Sequence, residues 1–296
     1  MGAGPRVEND PRVTRQVCDE ARAAGKRVAL VPTMGALHDG HLTLVEAATG
    51  EADFSVVSIF VNPKQFGPGE DFERYPRTLD TDLAKLAPLG VDLVFAPNGA
   101  TMYAEGFATL VRVEELTSCL CGAHRPGHFD GVTTVVNKLF NIVGPCQAFF
   151  GRKDYQQLQV IKRMTRDLNL PVDVRGLPTH REPDGLAMSS RNAYLGPAER
   201  ERALALYQGL EAAAKLFAGG ERRVGPLRRA VLAPVAAAAD RVDYVTAADP
   251  DELNEIPDDA IAGQRLLIAI AARRGNTRLI DNTVLGEDRL AQRQPD

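Results

Sequence analysis

The chain has 296 residues, about two domains' worth at roughly 150 residues each. Its composition, 44% hydrophobic and 25% charged, excludes a disordered or fibrous chain. Thirty-five Lys and Arg against 39 Asp and Glu leave a net charge of -4 with no long block of one sign, which excludes a general nucleic-acid or anionic-membrane binder. An anionic ligand must therefore be met by local groups and not by the overall field. Cys18, Cys119, Cys121 and Cys146 are too few for a disulfide framework and lack CxxC spacing. Cys119 and Cys121 followed by His124 and His128 match no common zinc pattern. The opening residues have no apolar core, Arg6 stands where a myristoylation signal needs Ser or Thr, and the longest apolar runs (56–61 and 266–272) fall far short of the ~20 residues of a membrane span. A soluble, cytoplasmic protein with no membrane partner is expected.

In chain order, Asp10 caps a helix over 11–24, with Pro11 at its first position and Gly25 as its stop. Residues 27–31 predict a short buried strand, 41–48 a helix with Leu44, Val45 and Ala48 in register, and 54–61 a β-branched and aromatic strand. Thr78 caps a helix running to 89 with Leu79, Leu83 and Leu86 on one face. A strand over 91–95, a helix over 132–143 closed by Gly144-Pro145, a strand over 147–150, a helix over 155–169 and a strand over 172–177 complete the series. Apolar strands alternating with helices imply a parallel sheet covered on both faces. The fold expected for 1–180 is α/β, a Rossmann-like doubly wound parallel sheet. A polar, Gly- and Pro-containing stretch over 178–197 leads into a smaller C-terminal α+β domain, 181–296. It comprises a long helix over 197–217 ended by Gly219-Gly220, an Ala-rich helical stretch that Pro234 should kink or break, and strands over 242–245, 266–272 and 277–285.

In open parallel sheets ligands bind beyond the carboxyl ends of the strands, and four unusual segments fall there. PTMGALHDGH (32–41) has two glycines for tight backbone and two histidines, His38 and His41, beside a helix start whose free amides suit a phosphate. The same residues also suit a helix cap with one exposed imidazole. FGRKDYQQL (150–158) sets Lys153, Asp154 and two amides at a strand-to-helix turn, fit for phosphate and ribose or for a solvated helix start. DGLAMSSRN (184–192) offers Ser189, Ser190 and Arg191 as a polyphosphate clamp, or as a polar inter-domain turn. IFVNPKQF (59–66) opens a long loop that ends at YPRT (75–78), and connections of that length usually have a functional reason.

Taken in order, and with HRPGHFDGV (124–132), these motifs closely resemble the pantoate–β-alanine ligase family of the HxGH nucleotidyltransferases. The resemblance implies an ATP-dependent, AMP-forming ligase that condenses pantoate with β-alanine to give pantothenate and diphosphate. Pantoate carboxylate attacks the α-phosphorus of MgATP, and the amine of β-alanine then attacks the acyl adenylate. It further implies that His38, His41, Lys153, Ser189, Ser190 and Arg191 act in catalysis. Pro32, Thr33, Met34, Gly151, Asp154, His180 and Met188 would join several of these in binding ATP. Met34, Asn62, Gln65, Phe150 and Gln157 would bind pantoate, with Arg125 and His128 as weaker candidates for β-alanine. Family members are typically homodimers, and some carry acidic residues in a row just after YPRT, used for Mg²⁺. Here that run is Leu79-Asp80-Thr81-Asp82, which leaves Asp82 as the metal candidate, unless it belongs to a solvated helix face. The loop 65–75, with Gly67, Pro68 and Gly69 as hinges, reads as a lid that shields a hydrolysable adenylate from water. Two other readings stay open: a different HxGH nucleotidyltransferase, and a non-catalytic nucleotide-binding protein.

Overall fold

A computed structural model describes residues 4–275 and 277–290. They form two compact units. The first runs to Thr117 and takes up Arg125–Arg152 and Gln157–Leu177; the second holds Ser118–His124, Lys153–Gln156 and the chain from Pro178 onward. Among the described residues no helix is long and apolar enough to cross a membrane.

In the first unit, β1 (Arg6–Glu8) precedes α1 (Pro11–Ala23), whose Asp10 cap accepts the Arg12 and Val13 amides at 2.7 and 3.4 Å. Then follow β2 (Val28–Thr33), α2 (Asp39–Glu51), β3 (Phe54–Ile59), α3 (Leu79–Leu86), β4 (Leu93–Phe95) and α4 (Gly99–Met102). After α5 (Leu120–His124), which belongs to the second unit, come α6 (His128–Val143), β5 (Cys146–Gly151), α7 (Tyr155–Asp167) and β6 (Val172–Leu177). The six strands form one parallel sheet ordered β1-β4-β3-β2-β5-β6. From β2 the chain winds outward through β3 to β4, then returns to place β5 on the other side of β2. The reversal between β2 and β5 opens the crevice where doubly wound sheets bind ligands. Leu30, Val57, Leu86, Phe95 and Phe149 are fully buried around the sheet.

The second unit contains α8 (Pro197–Ala218), α9 (Val224–Ala238) and an antiparallel sheet of β7 (Arg241–Ala248), β8 (Leu266–Arg274) and β9 (Thr277–Leu285). Of the two outcomes expected at Pro234, a kink or a break, the break does not occur: Pro234 lies inside α9 without ending it. Val224, Leu227, Val231 and Val235 are all fully buried in this unit's core, and that packing outweighs the lost backbone hydrogen bond. Leu79 also departs from its expected place: it is 38% exposed, while Leu86 is buried. α6 begins a turn before the predicted start, because its first residues carry no apolar periodicity to announce it. The edge strand β1 is only three residues long, too short for a pattern signal.

One glycine fixes how the long loop after β3 meets the sheet domain. A Cβ on Gly131 of α6 would sit 2.1 Å from the Lys64 carbonyl oxygen and 2.6 Å from the Gln65 nitrogen. Ala is normally the better helix residue by ~1 kcal/mol, but here backbone overlap reverses the sign. Gly131→Ala should destabilise the protein by about 2 kcal/mol, checked by thermal or urea unfolding of the purified variant.

Candidate active site

The turn leaving β2 is built from hydrogen bonds internal to the protein. The Thr33 hydroxyl donates to the Ser58 carbonyl at 2.7 Å and accepts the Gly35 amide at 3.2 Å. Gly35 and Ala36 are both left-handed, at φ 78° and 51°, which turns successive amides the same way. Asp82 of α3, 1% exposed, accepts the Ala36 and Leu37 amides at 2.9 and 2.8 Å. One turn on, the Lys85 ammonium donates to the Leu37 carbonyl. His38 then caps α2 in extended conformation, and the rings of His38 and His41 lie 4.0 Å apart, tilted by 31°. The His38 amide donates to His41 Nδ1 at 3.4 Å, which assigns the proton of a neutral His41 to Nε2. Two imidazoles at the amide end of a helix form a donor set for negative charge growing on a phosphate.

Beside this turn lies a chain of amides. Asn62, 1% exposed, donates to Gln65 Oε1 at 3.0 Å and to the Gly131 carbonyl at 3.1 Å. Its own oxygen accepts the Tyr103 hydroxyl at 2.7 Å. Gln65 Nε2 in turn donates to Met34 Sδ at 3.1 Å. Burial raises the Tyr103 pKa, so the phenol stays protonated and remains a donor. Phe150, 5% exposed, stands edge-on to Phe140 with centroids 6.4 Å apart, and Gln157 is half-buried near the start of α7. Met34, Asn62 and Gln65 are thus one connected group, with Tyr103 as its unforeseen fourth member. Tyr103 follows a four-residue helix and no motif contains it, so the sequence carries no signal for it.

The loop after Gln65 packs on its own aromatic side chains: Phe66 lies 5.4 Å from Phe72 and 5.9 Å from Tyr75. Its Glu70 carboxylate receives Arg125 Nε and Nη2 at 2.7 and 2.6 Å. Arg125 also reaches His128 Nε2 at 3.0 Å, and His128 Nδ1 meets the Gln65 carbonyl at 2.7 Å. Arg125 and His128, expected beside β-alanine, therefore engage the protein's own loop here: the carboxylate that Arg125 meets is that of Glu70. Burial alone would raise the Glu70 pKa, but hydrogen bonds and charge from Arg125 outweigh it and bring it down to about 2.

Within the second unit, residues 180–188 form a hairpin: Arg181 pairs with Ala187, and the Met188 amide donates to the His180 carbonyl at 3.0 Å. Gly185 turns its tip at φ 96°, where a Cβ would lie 2.2 Å from the Tyr207 ring. Arg181 makes a buried two-pronged pair with Asp281 of β9 at 2.7 and 3.0 Å. Burial opposes its charge, but Asp281 raises the Arg181 pKa all the same. Ser189 accepts the Arg191 amide at 3.3 Å at the start of a 3-10 turn, Ser190–Tyr194. Asn282 of the same strand β9 donates to the Lys153 carbonyl at 2.7 Å, and Lys153 Nζ stands 3.8 Å from Asp154. Lys153 and Asp154 thus belong with Ser189, Ser190 and Arg191 in one unit, while Gly151 ends β5 in the other.

The pantoate-beta-alanine ligase family model matches residues 6–284. The pantothenate synthetase of Geobacter sulfurreducens is 56% identical over 272 residues, covering 91% of this chain and 94% of that one. The crystal structure of pantoate-beta-alanine ligase (pantothenate synthetase) from Thermus thermophilus superposes with a TM-score of 0.87 at 49% identity, over 94% of this chain and 98% of its own. The chain belongs to the pantoate–β-alanine ligase family. A more distant member from Francisella tularensis, solved with beta-gamma ATP and beta-alanine, is 30% identical with a TM-score of 0.77 over 97% of this chain and all of its own.

For this family member Asp82 needs correction on one count. It lies on no solvated helix face, because it is buried and both its oxygens accept backbone amides. Among the described residues no group of three or more His, Cys, Asp or Glu side chains is placed to hold a metal ion. In this structure the Asp82 carboxylate serves the protein's own backbone, accepting the Ala36 and Leu37 amides. The Glu70–Arg125 latch and the Arg181–Asp281 anchor went unforeseen, since pairs far apart in sequence leave no local pattern.

The sign of the Glu70 shift fixes its pH behaviour. A depressed carboxylate stabilises the pairing above its ordinary value near 4.5, and the contribution is lost as pH falls toward about 2. Cleavage within 65–75 under limited proteolysis should thus stay constant from about pH 8 to 5 in the wild type. Glu70→Gln should raise it about tenfold at pH 7, as expected for losing ~1.4 kcal/mol of a charge-assisted contact.

Proposed function

We propose that this chain joins pantoate to β-alanine, converting ATP to AMP and diphosphate through a pantoyl adenylate. The observation that carries the reading is the close His38–His41 pair at the head of α2, in a chain 56% identical to a pantothenate synthetase. A carboxylate is a poor acylating agent because it lacks a leaving group; esterifying its oxygen to AMP supplies one. The protein's contribution is position and charge neutralisation, with no covalent enzyme intermediate.

In this reading the imidazole donors of His38 and His41 hold the ATP phosphates and bond most strongly as the α-phosphorus becomes five-coordinate. Lys153, Ser189, Ser190 and Arg191 hold the phosphates and the departing diphosphate. Pro32, Thr33 and Met34 line the nucleotide, Gly151 and Asp154 meet the ribose, and the backbone of His180 and Met188 frames the adenine. Gln65 and Gln157 bind pantoate beside Asn62, with Met34 and Phe150 against its methyl groups. The Asn62–Gln65 bond supports this: it fixes the Gln65 amide in one orientation before substrate arrives. Mg²⁺ would enter with ATP and would neutralise phosphate charge, an ion that needs only one or two protein carboxylates. Homodimeric assembly and a cytoplasmic location belong to the same reading, supported by the family resemblance; sedimentation at micromolar concentration tests the first.

The decisive experiment is pyrophosphate–ATP exchange without amine. Exchange should require pantoate, and AMP should appear only when β-alanine is added. Pyrophosphate release with the nucleotide kept on the product identifies a nucleotidyltransferase instead, and ATP binding without exchange identifies a non-catalytic binder. His41→Ala should lower the exchange rate by about 10²-fold or more while changing ATP affinity far less, because its bond strengthens in the transition state. An unchanged turnover number removes His41 from catalysis.

A further inference from the structure

The Asp82 carboxylate is the acceptor for two successive amides of the turn, that of half-buried Ala36 and that of buried Leu37. Ala36 and Leu37 donate to its two oxygens at 2.9 and 2.8 Å, and the Thr78 hydroxyl adds a third bond at 3.3 Å. Consecutive left-handed residues, Gly35 and Ala36, make the concave amide pair that commonly receives an anion, and here the anion is part of the protein. The fit is tight: a Cβ on Gly35 would fall 3.1 Å from Asp82 Oδ2. Lys85, three residues along α3, holds the carbonyl of the same Leu37, whose side chain is 1% exposed. The next residue is His38. Helix α3 thus holds both backbone polar groups of Leu37, the residue that precedes the paired imidazoles.

We propose that Asp82 and Lys85 are positioning residues that fix the orientation of His38 and His41, and that Asp82 is not a ligand of the catalytic Mg²⁺. The role in rate rests on the proposed function; the effect on the imidazoles does not. A carboxylate accepts both amides, whereas an Asn side chain presents one oxygen and one NH₂, so Asp82→Asn keeps the shape and loses one acceptor. Small displacements of a catalytic group lower the rate by up to about 10²-fold.

The test has two arms. In the first, the substrate-free protein is labelled and the signals of its five imidazoles are followed by NMR through a pH titration. Asp82→Asn and Lys85→Gln should each move the His38 and His41 signals and leave His180 unchanged; unmoved His38 and His41 signals in either folded variant overturn the proposal. In the second, the Asp82→Asn exchange rate is measured against Mg²⁺ at fixed ATP. The maximal rate should fall about 10²-fold with the half-saturating Mg²⁺ concentration unchanged. A tenfold rise in that concentration, or recovery of the rate at high Mg²⁺ or Mn²⁺, overturns it, as does an unaltered maximal rate. Should Asp82→Asn fail to fold, Lys85→Gln carries the first arm alone. Should the wild type show no exchange, the proposed function fails and the imidazole result still decides the positioning role.

Discussion

The buried amide of Leu37 must find an acceptor inside the protein, and the geometry at the end of β2 follows from how that amide and its half-buried neighbour at Ala36 are met by one carboxylate. An unsatisfied buried amide costs ~1–3 kcal/mol, so the turn could not hold this shape unaided. An Asn amide in its place would set one oxygen and one NH₂ against the two N–H groups. A carboxylate satisfies both, and its own desolvation is offset by the three bonds it receives. The consequence is rigidity: the residues between β2 and α2 are fixed by contacts from β3 and α3 before any ligand is present.

This explains how a chain with net charge -4 can be suited to a polyanion. Long-range attraction is not available, so affinity must come from dipoles and donors set at short range, where a helix end and oriented N–H groups are effective. Anions inside the protein already engage some of its donors: Asp82 on the β2 turn, Glu70 on Arg125, Asp281 on Arg181. Each keeps a donor in a defined place and from collapsing elsewhere.

The alternation of strands and helices in the first domain was legible because buried parallel strands are continuous apolar runs and their helices are capped by residues such as Asp10 and stopped by glycines such as Gly25. The paired histidines were legible because three-residue spacing at a helix start forces two side chains onto one face. What stayed hidden had one of two causes. Short or edge elements such as β1 carry no period, and Pro234 obeyed its tertiary packing over its propensity. The Asp82 clamp, the Tyr103–Asn62 bond and the Glu70–Arg125 pair span 45, 41 and 55 residues of chain, distances at which only the fold decides who meets whom. Asp82 is instructive: from its position in a polar stretch of helix it reads as a metal candidate or a solvated face, and its burial becomes apparent only when the turn it serves is in place.

The amide group behind Gln65 extends the same logic from phosphate to acid. Gln65 offers an oxygen and an NH₂, and either end could face a substrate. With Asn62 donating to the oxygen and the NH₂ directed to Met34 sulfur, one orientation is chosen. Asn62 cannot itself invert, since the Gly131 carbonyl needs its NH₂ and the Tyr103 hydroxyl needs its oxygen. Sulfur is a weak acceptor, so the Gln65 NH₂ gives up little when a carboxylate or hydroxyl oxygen replaces it. A side chain held in orientation by strong bonds at one end and a weak one at the other is prepared to exchange only the weak one. In the proposed function, that asymmetry would let Gln65 take an oxygen acceptor without rearranging the buried groups behind it.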